Sequence, residues 1–147
     1  MIFLSVTRLR VRSFFFMPEF IFYALASARQ AERASGFVAG KVLREPKNVF
    51  WTMTAWDDEK AMNAYRIHDA HRNAMPKLLA WCDEASVVHW QQKSAELVSW
   101  QEAHLRMMKD GRLSKVNVPS AAQIANSIPA PQPSPIERIL KPLPAKK

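Results

Sequence analysis

Four polar side chains on one predicted helix could do chemistry in this chain: Tyr65, His68, His71 and Arg72. Projected at about 100° per residue, Ala61, Ala64, Tyr65, His68, His71 and Arg72 fall on one side, with His68 near the middle. An imidazole in such a stripe most often packs as a core or edge residue with a satisfied hydrogen bond. The alternative is a base, an orienter or a ligand in a pocket. His68 and His71 sit on adjacent turns and could share a metal, but nothing nearby completes a donor set, so no metal is expected. The Tyr65 hydroxyl could reach a ligand or stay a wet tip on a core ring. Arg72 could hold an anionic or carbonyl group, or pair with Asp69. Trp51 and Trp56 could line the sheet side of such a pocket and Tyr23 another wall, although tryptophans are more often core or interface.

Other chemistries lack support. No nucleophile elbow, phosphate loop or dinucleotide fingerprint occurs, and no paired carboxylates. Asp57-Asp58-Glu59 reads as negative charge at a helix start. Cys82 is the only cysteine, which excludes an internal disulfide and a cysteine-rich zinc site. A buried, inert thiol in a reducing cytoplasm is the natural reading.

Elements must position those side chains. Ile2 to Arg12 alternates as a strand, with Thr7, Leu9 and Val11 facing one way and Arg8, Arg10 and Arg12 the other. Pro18 and Glu19 suit a first helical turn, and the helix runs to about Ala34 with an inner stripe of Phe16, Phe20, Tyr23, Ala24, Ser27, Ala31 and Ala34. Gly36 should terminate it. Phe37–Arg44 and Val49–Trp56 form a hairpin across Glu45-Pro46-Lys47-Asn48. Asp57 is the expected cap of the next helix, and a break is expected between Arg72 and Pro76. Ala85–Gln91 is the fourth strand, with His89 on the same face as Val87. The order β-α-β-β-α-β is ferredoxin-like, an α+β fold with a four-stranded antiparallel sheet and both helices on one face. Strands three and four are apolar on both faces. The face that the helices leave bare is therefore expected to pack on a second subunit, as a homodimer.

The domain reading is a ferredoxin-like body over residues 1–93, a helical extension over 94–114 and a Pro-rich basic tail over 115–147. Ser99-Trp-Gln-Glu102 is a capping box and Gly111 a stop, which predicts a helix from Trp100 to Asp110. Seven of the ten prolines follow Ser114. Val116, Val118, Ile124 and Ile128 could pin the first half of that tail.

The net charge is +8, with +4 in residues 1–45, zero in 46–93 and +4 in 94–147. The excess sits at the ends and is not focused on an aromatic surface, so nucleic acid is not the expected partner. Arg8, Arg10 and Arg12 before a run of phenylalanines imitate a secretory leader, but Pro18 and Glu19 interrupt it and a strand precedes it. No apolar run is long enough to span a membrane.

The strand and helix ending at Gly36-Phe37, then Phe50-Trp-Thr-Met-Thr-Ala-Trp56, Ala61-Met62 and His71-Arg72-Asn-Ala-Met75, resemble the antibiotic-biosynthesis-monooxygenase-like dimeric α/β barrels. They are also similar to the spheroidene-monooxygenase-like group. The resemblance covers about residues 2–91. It implies a homodimer with one pocket per subunit between sheet and helices. Some members oxidise aromatic polyketides with O2 and no cofactor, and others bind or degrade haem. The haem-ligand position of that branch falls on Met75, and an aromatic of that branch on Tyr65. The reading is an oxidoreductase, a monooxygenase-like enzyme without cofactor, acting on a small hydrophobic aromatic or polyene molecule. His68, His71 and Tyr65 would be catalytic, and Arg72, Trp51, Trp56 and Tyr23 would bind substrate. The alternatives are a ligand- or haem-binding module and an interaction protein with a basic docking tail.

Overall fold

In a computed structural model, which describes residues 1–132 and 136–144, the ferredoxin-like order is present and the chain then adds to it. Strand β1 (Ile2–Val11) leads through a short 3-10 turn at Phe14–Phe16 into helix α1 (Met17–Arg33). Strands β2 (Phe37–Glu45) and β3 (Val49–Trp56) follow, then helices α2 (Glu59–Arg66) and α3 (Asp69–Trp81), and strand β4 (Cys82–Gln92). Helix α4 (Trp100–Asp110), strand β5 (Arg112–Leu113), the short helix α5 (Ala121–Ile124) and strand β6 (Glu137–Leu140) complete the chain.

Local chemistry explains the boundaries. Pro18 lies in the first turn of α1, where its missing N–H costs nothing. Gly36 after α1 has φ +84°, and a Cβ there would stand 2.6 Å from that of Ala61, so the turn requires glycine. Lys47 and Asn48 take the left-handed conformation of a tight hairpin turn. Asp58, not Asp57, caps α2, accepting from the Ala61 N–H at 2.8 Å. Ser99 caps α4 by accepting from the Glu102 N–H at 3.1 Å.

The sheet has six antiparallel strands in the order β5-β4-β1-β3-β2-β6, where the sequence suggests four. The two extra strands are only two and four residues long and come from the C-terminal extension. Neither shows enough alternation to be read as a strand alone. Each forms because an existing edge offers unpaired backbone groups. The Pro-rich segment thus runs along the body: Val116 packs near α1, and Ile128 is buried on the other side of the sheet.

Two layers cover the sheet. Phe3, Phe37, Phe50 and Trp56 pack under α1, α2 and α3. On the opposite face Leu4, Val6, Leu43, Trp51, Met53 and Val88 pack against Trp100, Ala103 and Met107 of α4 and against Ile128. This corrects the reasoning for a dimer. The apolar second face is hidden by the chain's own extension, so two-sided apolarity in β3 and β4 needs no second copy to explain it. Buried charge on that face is paired: Glu84 takes Arg8 at 2.9 Å and Arg10 at 2.8 Å. Glu45 accepts from Trp51 Nε1 at 2.8 Å and also from the Gln132 N–H, which ties the extension down.

The predicted helix break is also displaced. Pro76 lies inside α3, and the chain breaks at Ile67–His68, where His68 is extended at φ −119°, ψ 151°. His68 makes no side-chain cap. Gln30 of α1 takes over: its amide donates to the carbonyls of Tyr65 at 2.9 Å and His68 at 2.8 Å, and accepts from the His71 N–H at 3.0 Å. A tertiary amide closes the gap, and no local signal in residues 59–76 announces it.

Candidate functional site

A cavity of about 570 Å³ lies between the sheet and the first helical layer. Its floor carries hydroxyls. Strand pairing sets Ser5 opposite Thr54 and Thr7 opposite Thr52, and on the other side Ser5 opposite His89 and Thr7 opposite Val87. All of these side chains line the cavity. All but Val87 form a polar stripe because alternate residues of a strand share a face. The helical walls are mostly apolar: Phe20, Tyr23, Ala24 and Ala28 from α1, Met62 and Tyr65 from α2, and Ala74, Met75 and Leu78 from α3.

His71 enters this wall from the first turn of α3. Its Nδ1 lies 3.3 Å from the Arg66 carbonyl. A carbonyl only accepts, so in that contact Nδ1 carries the hydrogen and Nε2 keeps its lone pair. Burial, helped by the Arg66 charge and opposed by the bond to its carbonyl, holds the imidazole below its ordinary pKa. His71 is therefore neutral near pH 7 and able to accept a proton. The Tyr65 ring lies 4.7 Å from that of His71 and stacks on Trp56 at 5.0 Å. The Tyr65 hydroxyl donates to the Ser27 carbonyl at 3.0 Å, and burial pushes its pKa far up, so the phenol stays protonated. His89 stands at the other side of the floor, against Phe3 at 5.2 Å. Burial first, then the charges of Arg112 and Arg66, keep it below the usual histidine range, with Glu59 opposing.

The structure thus gathers Tyr65, His71 and Tyr23 on one cavity. The other residues singled out from the sequence lie elsewhere. Trp51 is fully buried on the opposite face of the sheet, against Trp100. Trp56 is fully buried beneath Tyr65 and supports the wall without lining it, and its Nε1 has no hydrogen-bond partner among the described residues. His68 is exposed and borders a separate outer cleft with Arg29 and Arg33. Arg72 is exposed. The Asp69 side chain, its suggested partner, lies outside the described residues. Projection at helical spacing failed for His68 and Arg72 because the chain breaks between Tyr65 and His71, which resets the phase. Sequence reasoning missed Ser5, Thr7 and Gln30, and it set His89 on the face of Val87 without giving it a place in the site. The available signal was small hydroxylated residues alternating inside apolar strands. Cys82 is buried, and its thiol pKa is pushed up to about 12 by burial and by Asp83. Among the described residues no group of three or more His, Cys, Asp or Glu could hold a metal ion, and no helix is long and apolar enough to cross a membrane.

No family model and no curated protein sequence matches this chain. Its fold is that of solved antibiotic-biosynthesis-monooxygenase-like structures. SnoaB, a cofactor-independent oxygenase from Streptomyces nogalater, aligns with TM-score 0.53 at 20% identity, over 64% of this chain and 95% of its own. An antibiotic biosynthesis monooxygenase candidate from Nitrosomonas europaea aligns with TM-score 0.57 at 13% identity, over 64% of this chain and 92% of its own. A conserved protein from Methanosarcina mazei aligns with TM-score 0.56 at 17% identity, over 63% of this chain and 94% of its own. At these identities the likeness shows the fold and nothing finer. About a third of this chain has no counterpart in them.

Proposed function

We propose that this protein is a monooxygenase-like enzyme that binds a small aromatic or polyene molecule in the cavity between sheet and helices. The observation that carries this reading is His71: a neutral imidazole on an apolar wall, its Nδ1 hydrogen given to the Arg66 carbonyl and its Nε2 lone pair left for a substrate. Of the two imidazoles on this stretch, His71 is the one that reaches the cavity. The oxygenase neighbour of the same fold adds support.

The chemistry needs a base and little else. A CH2 group activated by a carbonyl and an aromatic ring loses a proton to His71. The resulting carbanion passes one electron to O2, and the two radicals combine to a peroxide that His71 protonates. Loss of water leaves a carbonyl. CH2 and O2 become C=O and H2O, with no outside reductant. The apolar walls exclude water from the carbanion, and the floor hydroxyls can hydrogen-bond the developing oxyanion.

Oxygen uptake with a tricyclic anthrone tests this. The rate should fall about 100-fold or more in His71→Ala, the usual loss on removing a positioned base, and stay near wild type in His68→Ala. An unchanged rate in His71→Ala overturns the role of His71. No uptake, together with a Soret shift on adding haemin that His71→Ala abolishes, replaces the reading with a haem-binding module.

A further inference from the structure

The charged side chains that line this cavity are all cations: Arg66, Arg112, Lys115 and Arg138. No aspartate or glutamate is among its described lining residues. The bias is built by strand register. Arg112 of β5 pairs with Val87 of β4, and Arg138 of β6 pairs with Val42 of β2. Val87 and Val42 both face the cavity, so each arginine is delivered to the same face, one from each edge of the sheet. Arg138 also stands 4.0 Å from Glu32 and is partly occupied. Arg66 and Arg112 form no ion pair among the described residues, and Arg66 Nε is buried there without a hydrogen-bond partner. Both guanidinium charges are felt at His89, and register sets Arg112 beside Val87, two residues from His89 on the same face of β4. Glu59, the acid also felt there, is exposed and does not line the cavity.

We propose that the cavity takes an amphipathic organic acid, its aromatic or polyene body against the apolar helical walls and its carboxylate held by Arg66 and Arg112 beside His89. This deepens the oxygenase reading by naming the class of molecule, and rests on it only for the reaction. A carboxylate in an apolar cavity is costly unless paired, and here two guanidinium groups stand ready to pair with it. A neutral ligand gains nothing from them. A phosphate or an oligonucleotide would leave most of the apolar wall unfilled. Arg112 belongs to the appended strand β5, beyond residues 2–92. That core has about the length over which the solved neighbours align. The part of the selectivity that Arg112 supplies is therefore a property of this chain's extension, while Arg66 belongs to the core. Gln123 holds that strand in place: its amide accepts from the Ala85 N–H at 3.1 Å and donates to the carbonyls of Ala85 at 3.2 Å and Ser114 at 3.0 Å.

Binding of anthracene-9-carboxylate and of its neutral analogue 9-anthracenemethanol, followed by fluorescence without turnover at low salt, tests the proposal. The acid should bind wild type about tenfold or more tightly than the alcohol, the usual gain from a charge-assisted pair. Arg112→Ala should abolish most of that preference and leave the alcohol unchanged. Arg112→Lys should keep part of it, and Arg106→Ala, a cation on the other face of the sheet, all of it. Arg112 is exposed on a two-residue strand, so its loss should not unfold the protein. Equal affinities in wild type, an undiminished preference in both Arg112→Ala and Arg66→Met, or no binding of either probe would overturn the proposal. A clear preference without oxygen uptake leaves the binding site standing and sinks the oxygenase. Uptake with a neutral anthrone and no preference for the acid does the reverse.

Discussion

His71 and His89 are both held neutral in the folded protein, chiefly by burial. Unfolding returns each to an ordinary value near 6.5. Below that pH the unfolded chain binds protons that the folded chain refuses, so stability is present above about 6.5 and lost as pH falls. Urea midpoints measured between pH 7.5 and 5.5 should decline, and the decline should shrink in a His71→Gln, His89→Gln double variant. A slope that the double variant leaves unchanged would mean that neither imidazole is buried as described. The sequence offered His71 as a site residue, set His89 only on the face of Val87, and could not separate His71 from His68. Their side chains have the same chemistry, and the phase of the helix that distinguishes them is set by a contact with Gln30, which lies 41 residues away from His71 in the chain.

The break between α2 and α3 shows where element-level reading stops. Caps, turns and glycine stops were legible because they are local: Ser99 on Glu102, Gly36 at its positive φ, and Lys47-Asn48 in the hairpin all act within a few residues. Pro76 looked like the breaker because it removes a helical hydrogen bond, yet the helix absorbs it and breaks earlier. Three hydrogen bonds from Gln30 make that earlier break affordable. Gln30→Ala strips them and leaves backbone groups short of partners. It should cost roughly 0.5–1.5 kcal/mol in denaturant unfolding, the net range for a typical hydrogen bond, because these groups are part-buried or exposed and water can reach them. Because the same bonds fix where α3 begins, any oxygen uptake should fall in Gln30→Ala as His71 shifts. Gln30→Glu keeps the acceptor for the His71 N–H but sets a carboxylate oxygen against the carbonyls of Tyr65 and His68, so it too should lose stability.

At the scale of the whole molecule, the β-α-β-β-α-β body could be read from its alternating strands and capped helices, and the extension only in part. Helix α4 was visible as a helix, but its destination was not. Its apolar side, with Ala103 and Met107, matches the bare face of the sheet, and a sequence cannot say whether such a match is made within one chain or between two. Strands β5 and β6 exist because the sheet edges are there to receive them. Gly40 shows how closely the last strand docks: a Cβ there would meet the Met53 carbonyl oxygen at 3.0 Å and Leu140 at 3.3 Å. Gly40→Val should therefore loosen β6 from β2. Limited proteolysis after Glu137 would report it as faster cleavage than in the parent.

Closing both margins of the sheet has a consequence for how the protein behaves in a crowded solution. A bare β2, reading Phe-Val-Ala-Gly-Lys-Val-Leu-Arg-Glu, would offer a long row of unsatisfied amides to any neighbouring polypeptide, and β6 occupies much of that row. A chain ending at Gln132 uncovers it. Such a truncated protein should nucleate thioflavin-positive fibrils at concentrations where the parent stays clear, making four residues near the C-terminus a guard against amyloid.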